Sequence, residues 1–276
     1  MTISVQTNAS ALVALQNLNK TNDDLAQAQD RISTGLAIAS AKDNASVWAI
    51  AQGQRADVNS LGAVKSSLDR ASSIADVAQT AGSSVSDLLN QIKAKVVAAQ
   101  DPSLDAASRK AIDTDFRALL SQINNTVTNA QFDGANILDG SISGGIRFLA
   151  NADASSFITL ASQDFSLGGS IITIASTATL TTLTNAALVL TQIATSISNV
   201  NSALGVLGSQ AKQIDDHNTF VSKLSDVLTT GVSNLVDADM AKESANLQAL
   251  QVRQQLGVQA LSIANSAPQI ILSLFK

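Results

Sequence analysis

The chain has 276 residues, of which 14% are charged, against about a quarter in ordinary soluble proteins, and 3% are aromatic; Tyr and Cys are absent, there is one His, and the net charge is −5. No basic face emerges to neutralise phosphates, which excludes nucleic acid as a partner, and a Cys-free chain has neither disulfides nor thiolate metal sites. The abundance of Ala, Ser, Thr, Asn and Gln predicts a polar-neutral surface that packs against other protein. Residues 1–19 carry no positive charge and no unbroken apolar core, so a cleavable signal peptide is not expected. The uncharged run from Phe165 to Ala211 is interrupted within residues 171–190 by six Thr, one Ser and one Asn, which is too polar for a membrane span.

Ser4 to Gly35 reads as the first helix. Ala11, Leu18, Leu25 and Ile32 recur every seven residues with Ala14 and Ala28 between them, Leu12 and Leu15 lie on a second face, and Gly35 is a natural end. A short irregular link, Leu36 to Asn44, follows, with Asp43 or Asn44 placed to cap what comes next. The second helix, Ala45 to Ala99, carries a strict 3-4 seam from Leu61 through Leu68, Gly82 and Leu89 to Ala99. Asp101-Pro102-Ser103 breaks it, and Ser103 is the expected cap of a third helix over about 104–130, with Ile112, Phe116, Leu119, Ile123, Val127 and Ala130 on one side.

Between Phe132 and Ala175 the texture changes. Asp133-Gly134, Asp139-Gly140, Gly144-Gly145 and Gly168-Gly169 are turn signals, and the β-prone runs Ile146–Leu149, Phe157–Leu160 and Ile171–Ile174 lie between them. The longest seam follows, from Leu183 to Leu235, with fourteen of its sixteen 3-4 positions apolar. At about 1.5 Å per residue this helix is roughly 80 Å long. It needs a long partner, and an antiparallel return along the second and third helices supplies one. Asp237 to Lys276 carries two stripes, Met240-Leu247-Leu250-Leu261-Ala264 and Ala249-Val252-Leu256-Ala260-Ile263-Ala267-Ile270-Leu274. The first helix can cover one of them. The other stays bare within one chain, so assembly is expected. The fold class is therefore mainly α: a long antiparallel helical bundle or coiled coil with paired terminal helices and a small β-hairpin region at its outer end.

Nothing in the chain points to catalysis. His217 stands beside Asp215 and Asp216 without another His or Cys, and reads as a solvated helix histidine rather than a ligand. No HExxH, P-loop, dinucleotide fingerprint or nucleophile elbow occurs, and the paired glycines read as turns. No cofactor and no metal are expected. Asp237, Asp239, Lys242 and Glu243 read as N-terminal acids of the last helix with a local ion pair. Asn-x-Ser/Thr triplets at Asn8, Asn19, Asn44 and Asn124 are expected by chance in this composition.

Five ordered motifs carry a resemblance to bacterial flagellin. They are Ser4-Val5-Gln6-Thr7-Asn8 with Ala11-Leu12, Arg31-Ile32-Ser33-Thr34-Gly35-Leu36 leading to Ala41-Lys42-Asp43-Asn44-Ala45, Phe132-Asp133-Gly134 with Ile137-Leu138-Asp139-Gly140, Asp239-Met240-Ala241-Lys242-Glu243, and Pro268-Gln269-Ile270-Ile271-Leu272-Ser273-Leu274. Asn44 stands where the family usually has a second Asp, and Ser46-Val47-Trp48 where it has a small residue and then Leu. The chain resembles short, minimal flagellins without large outer domains.

The resemblance implies a structural subunit that polymerises head to tail into the swimming filament. It implies a filament-core domain of residues 1–40 with 238–276, a helical bundle of 41–131 with 181–237, and an outer region of 132–180. The core-forming side chains would be Leu12, Leu15, Leu18, Leu25, Ile32, Met240, Leu247, Leu250, Val252, Leu256, Leu261, Ile263, Ile270, Ile271 and Leu274, with Arg31, Gly35, Lys42 and Asp43 in the linker motif. Partners would be other copies, the flagellar export machinery, the filament cap and the hook-junction proteins, with an extracellular location reached without a cleaved signal peptide. O-linked glycans, where present, would fall on Ser170, Thr173, Ser176, Thr177, Thr179, Thr181 and Thr182. Leu89 to Gln100 lacks the Arg-and-Glu pattern that binds the vertebrate flagellin receptor in many members, which implies weak recognition. Rivals are a hook–filament junction protein, which shares both terminal signatures, a flagellin with an inserted metalloprotease, which one His does not allow, and a coiled-coil adhesin, which would form a discrete dimer or trimer.

Overall fold

The computed structural model describes residues 8–273, with side chains over residues 8–266. Ser4 to Thr7 of the opening motif and Leu274 lie outside the described residues, as do the side chains of Ala267, Ile270 and Ile271. Five helices and one hairpin are described: α1 Ala9–Thr34, α2 Ala45–Ala99, α3 Ala106–Thr128, β1 Ile146–Leu149, β2 Phe157–Leu160, α4 Leu183–Val236 and α5 Met240–Ser273. The chain divides into two compact units, one of the residues up to Ala56 with those from Val227 onward, the other Asp57–Asp226.

In the Asp57–Asp226 unit, α2 and α4 run antiparallel. Asn218 donates to Asp69, Ser72 to Asp215, and Gln100 to the carbonyl of Ala186, so one chain ascends as the other descends. The seams meet as their spacing requires. Leu61, Val64, Leu68, Ala71, Ala75, Ala78, Val85, Leu89, Ile92, Val96 and Ala99 of α2 are all buried, as are Ile193, Val200, Leu207, Ala211, Ile214 and Val221 of α4. Gly82 marks a close approach of α2 to α4, because a Cβ there would lie 2.6 Å from Leu204 Cδ2 and 3.2 Å from Phe165 Cε2.

The α2–α3 corner is held by Arg109, which is buried and donates to the carbonyls of Ala99, Asp101 and Leu104, quenching the C-terminal end of α2. The expected cap of α3, Ser103, is not the cap. Asp105 takes that role by accepting from Ser108 N, while Ser103 donates its N–H and hydroxyl to Asp101. A carboxylate accepts more strongly than a hydroxyl, and Asp101 has already engaged Ser103. Phe116, Leu120, Ile123 and Val127 then pack inward, and buried Asn136 closes the far end by donating to the carbonyls of Val127 and Thr128 and accepting from Leu138 N.

Strands β1 and β2 pair antiparallel, Ile146 opposite Leu160 and Leu149 opposite Phe157, across the spans that β-propensity predicts. Residues 171–174, expected as a third strand, form only a single parallel bridge, between Leu167 and Ile172. Their backbone is satisfied by helix α4 instead: Thr173 N donates to Ser196 Oγ, and Asn199 Nδ2 to the carbonyl of Ile171. Ile172 and Ile174 are buried all the same. His217 is half-buried, with Nε2 2.7 Å from the carbonyl of Ala150 at the end of β1, so it ties the hairpin to α4 and is not the solvated side chain its acidic neighbours suggest.

Candidate assembly surface

In the other unit, α1 and α5 pair antiparallel. The facing contacts are Asn8 with Ala264, Leu18 with Gly257, Asn22 with Gln254, and Arg31 with Glu243. The faces turned toward each other are Ala11, Ala14, Leu18, Leu25, Ala28 and Ile32 on α1, with Leu247, Leu250, Leu261 and Ala264 on α5. Gly257 receives Leu18, whose Cδ1 would be 3.1 Å from a Cβ at that position. A pair of helices can cover one stripe on each member. Among the described residues of α1 and α5, only Ala28 and Leu250 are fully withdrawn from solvent.

The remaining apolar side chains stand bare. Leu12, Val13 and Leu15 of α1 are exposed, as are Val252, Leu256 and Ile263 of α5, the last at 70%. Ala249 and Ala260 complete that stripe at helical spacing. The core-forming set expected from the motifs thus separates into two groups. Leu18, Leu25, Ile32, Leu247, Leu250 and Leu261 serve the intrachain seam, while Leu12, Leu15, Val252, Leu256 and Ile263 face outward. Met240, placed by its spacing on the seam stripe, is exposed at the first turn of α5.

Two strands of linker lie side by side next to this pair. Gly35 ends α1 in the left-handed conformation (φ 73°), where its N–H donates to the carbonyl of Arg31 and its own carbonyl accepts from Ala238 N. The N–H groups of Ala37 and Ile38 both donate to the carbonyl of Val236, and Leu36 bridges Asp237. Leu36 and Ile38 pack on Ala51, Val232 and Val236 in a small core of their own.

Asp43 organises the link by accepting from Ser40 N, Ser40 Oγ and Ala39 N, and the hydrogen bond from the Ser40 backbone, first among these, holds its carboxyl below the usual carboxylate range. Asn44, in place of the family's Asp, still caps α2 through Val47 N. Lys42 is exposed.

Arg31 reaches Glu243 at 3.1 Å, with the acid's side chain only 12% exposed. Glu243 is therefore not part of a local helix pair, as its neighbours suggested; Asp239 alone caps α5, through the N–H groups of Ala241 and Lys242. Spacing within one segment gives no sign of a partner 212 positions away.

The seven candidate hydroxyls also separate. Ser170, Ser176, Thr177 and Thr181 are exposed. Thr173 is half-buried and donates to the carbonyl of Gln192, Thr179 accepts from Asn185 Nδ2, and Thr182 caps α4 through Asn185 N. Among the described residues no group of three or more His, Asp or Glu is placed to hold a metal ion, and no helix is long and apolar enough to cross a membrane.

Residues 5–143 match the bacterial flagellin N-terminal helical region, and residues 190–275 the bacterial flagellin C-terminal helical region. The chain is 55% identical to flagellin FljJ of Caulobacter vibrioides, covering 100% of this chain and 99% of that protein. It is 50% identical to flagellin FljK of the same organism, covering 99% and 98%, and 39% identical to a flagellin of Brucella melitensis, covering 99% of each.

Proposed function

This chain belongs to the bacterial flagellin family and is a structural subunit of the flagellar filament; on that premise we propose that the outward stripes of α1 and α5 are the surface through which its copies polymerise. The observation that carries this reading is the surplus of apolar side chains on the terminal pair, Leu12 and Leu15 with Val252, Leu256 and Ile263, over what two helices can cover. Burial of such side chains against like copies supplies the drive, at about 1.5–3 kcal/mol for each large aliphatic fully covered. In the free subunit α1 and α5 have only each other for cover; docking adds neighbours, and apolar burial offsets the entropy lost as the pair is fixed. Contacts that run head to tail without closing a ring extend an open helix of subunits.

On this reading residues 1–40 with 238–276 form the filament core, 41–131 with 181–237 the layer around it, and 132–180 the face toward solvent. Of the seven candidate hydroxyls, the exposed Ser170, Ser176, Thr177 and Thr181 suit glycan attachment better than Thr173, Thr179 and Thr182, whose hydroxyls serve the fold. Export through the flagellar channel, addition beneath a filament cap, and attachment at the hook junction are the partnerships the family implies. In 89–100 the exposed side chains are Asn90, Gln91, Lys93, Ala94, Val97 and Ala98, none of them Arg or Glu, and that composition is what supports weak recognition by the vertebrate receptor. Hook-junction proteins share the terminal signatures, but the relatives above are flagellins matched over nearly their whole length, which favours the filament subunit.

The test removes residues 240–276. Electron microscopy should find no filaments, while circular dichroism finds the bundle still folded. Normal filaments from the truncated chain would reject the proposal.

A further inference from the structure

Helix α5 continues through position 268, which is proline. A proline has no N–H to offer the carbonyl four residues earlier, and here that carbonyl belongs to Ala264. It is filled from the other end of the chain: Asn8 Nδ2 donates to the carbonyl of Ala264 at 2.6 Å. The Oδ1 of the same side chain accepts from Ala11 N at 3.1 Å and so caps α1. An amide offers both a donor and an acceptor, and this position uses both at once. Asp would preserve the cap and, having no donor, leave Ala264 unsatisfied.

We propose that Asn8 is a positioning residue for polymerisation, which sets the register of α1 against α5 by starting one helix and filling the gap that Pro268 opens in the other. The proposal rests on the assembly reading above. Seams made of Ala and Leu at 3-4 spacing discriminate weakly between registers one heptad apart, and a single polar group at the seam is a recognised means of choosing one; Asn8 is half-buried there. With Asn8 opposite Ala264, Leu18 falls on Gly257, the one glycine of α5. A heptad slip would bring Leu18 against a residue with a Cβ. In the observed register Leu12 and Leu15 are carried at the same end of the pair as Leu256 and Ile263, so the two bare stripes are presented together. Arg31 and Glu243 hold the same register at the other end.

The experiment is a double-mutant cycle on the full chain, reading the critical concentration for growth from wild-type filament seeds. Asn8→Asp keeps the cap but removes the donor and sets a carboxylate against a carbonyl. Pro268→Ala restores the missing N–H. Asn8→Asp should raise the critical concentration about tenfold in the natural background, and about twofold or less beside Pro268→Ala. Melting of the Asp57–Asp226 bundle should be the same in all four proteins. Wild-type growth of Asn8→Asp, or a penalty that Pro268→Ala leaves unchanged, would overturn the proposal. The double variant Leu256→Asp/Ile263→Asp keeps the two readings apart. If it is blocked while Asn8→Asp grows normally, only the register role fails; if it grows normally, the assembly surface itself is wrong.

Discussion

The Asp57–Asp226 unit and the α1–α5 pair are written in the same code, long helices with apolar residues at 3-4 spacing, and they use it to opposite ends. In the first, α2, α3, α4 and the hairpin region surround one another, and every apolar position of the α2 seam from Leu61 to Ala99 is buried. In the second, two helices carry more stripes than they can share. Leu256 at 58% exposure and Phe116 at 0% are both large apolar side chains on helices, and only the number of neighbours separates them. A subunit whose apolar stripes outnumber its helical partners declares where other copies belong.

The strongest way to break this contrast is to charge the bare stripe. Leu256→Asp with Ile263→Asp should raise the critical concentration for polymerisation more than about 100-fold, since each change removes a burial of about 1.5–3 kcal/mol and adds a carboxylate to a dry contact. The melting temperature of the isolated subunit should not move. If it falls, the stripe is packed within the subunit and the contrast is false.

The converse change is Phe116→Ala, which should cost the bundle about 3–5 kcal/mol in denaturant unfolding by leaving a cavity. Folded subunits of this variant should still grow on seeds at nearly the wild-type critical concentration. A block to growth comparable with that of the charged stripe would show that the two regions do not act separately.

The smallest effect sharpens the linker between them. The carboxyl of Asp43 titrates below its ordinary value of 3.8, chiefly because it accepts from Ser40 N. A carboxylate of lowered folded pKa contributes stability that is complete above that ordinary value and is lost as pH falls through the lower folded one. Trp48, the only tryptophan, lies in the first turn of α2 just beyond this link. Its fluorescence should therefore hold steady down to pH 4 and change below 3.8. Asp43→Asn should remove the step; a midpoint above the ordinary carboxylate value would contradict the role given to Asp43.

Much of this was legible in the residues themselves. The spans of α2 and α4 and both hairpin strands follow from periodicity bounded by Pro and Gly, because helix and strand spacing report which face is buried whatever buries it. The bare stripe on α5 was legible for the same reason. What spacing missed has a common cause. Ser103 lost its cap to Asp105, residues 171–174 gave up strand pairing for Ser196 and Asn199, His217 found the carbonyl of Ala150, and Glu243 found Arg31. At Ser103 the rivals were local, Asp101 two residues back and Asp105 two ahead; in the other cases a polar group was claimed by a partner that the fold delivers, and hydrogen-bonding groups carry no period that announces a distant mate.

The sequence by itself determined the helices, their seams and the fact that apolar stripes outnumber partners, since a 3.6-residue turn converts spacing directly into faces. Only the tertiary structure decided which stripe the subunit covers and which it leaves bare, and that Asn8 meets the carbonyl Pro268 leaves open. Those outcomes depend on the register between segments some 250 residues apart, and register is set where the two surfaces touch.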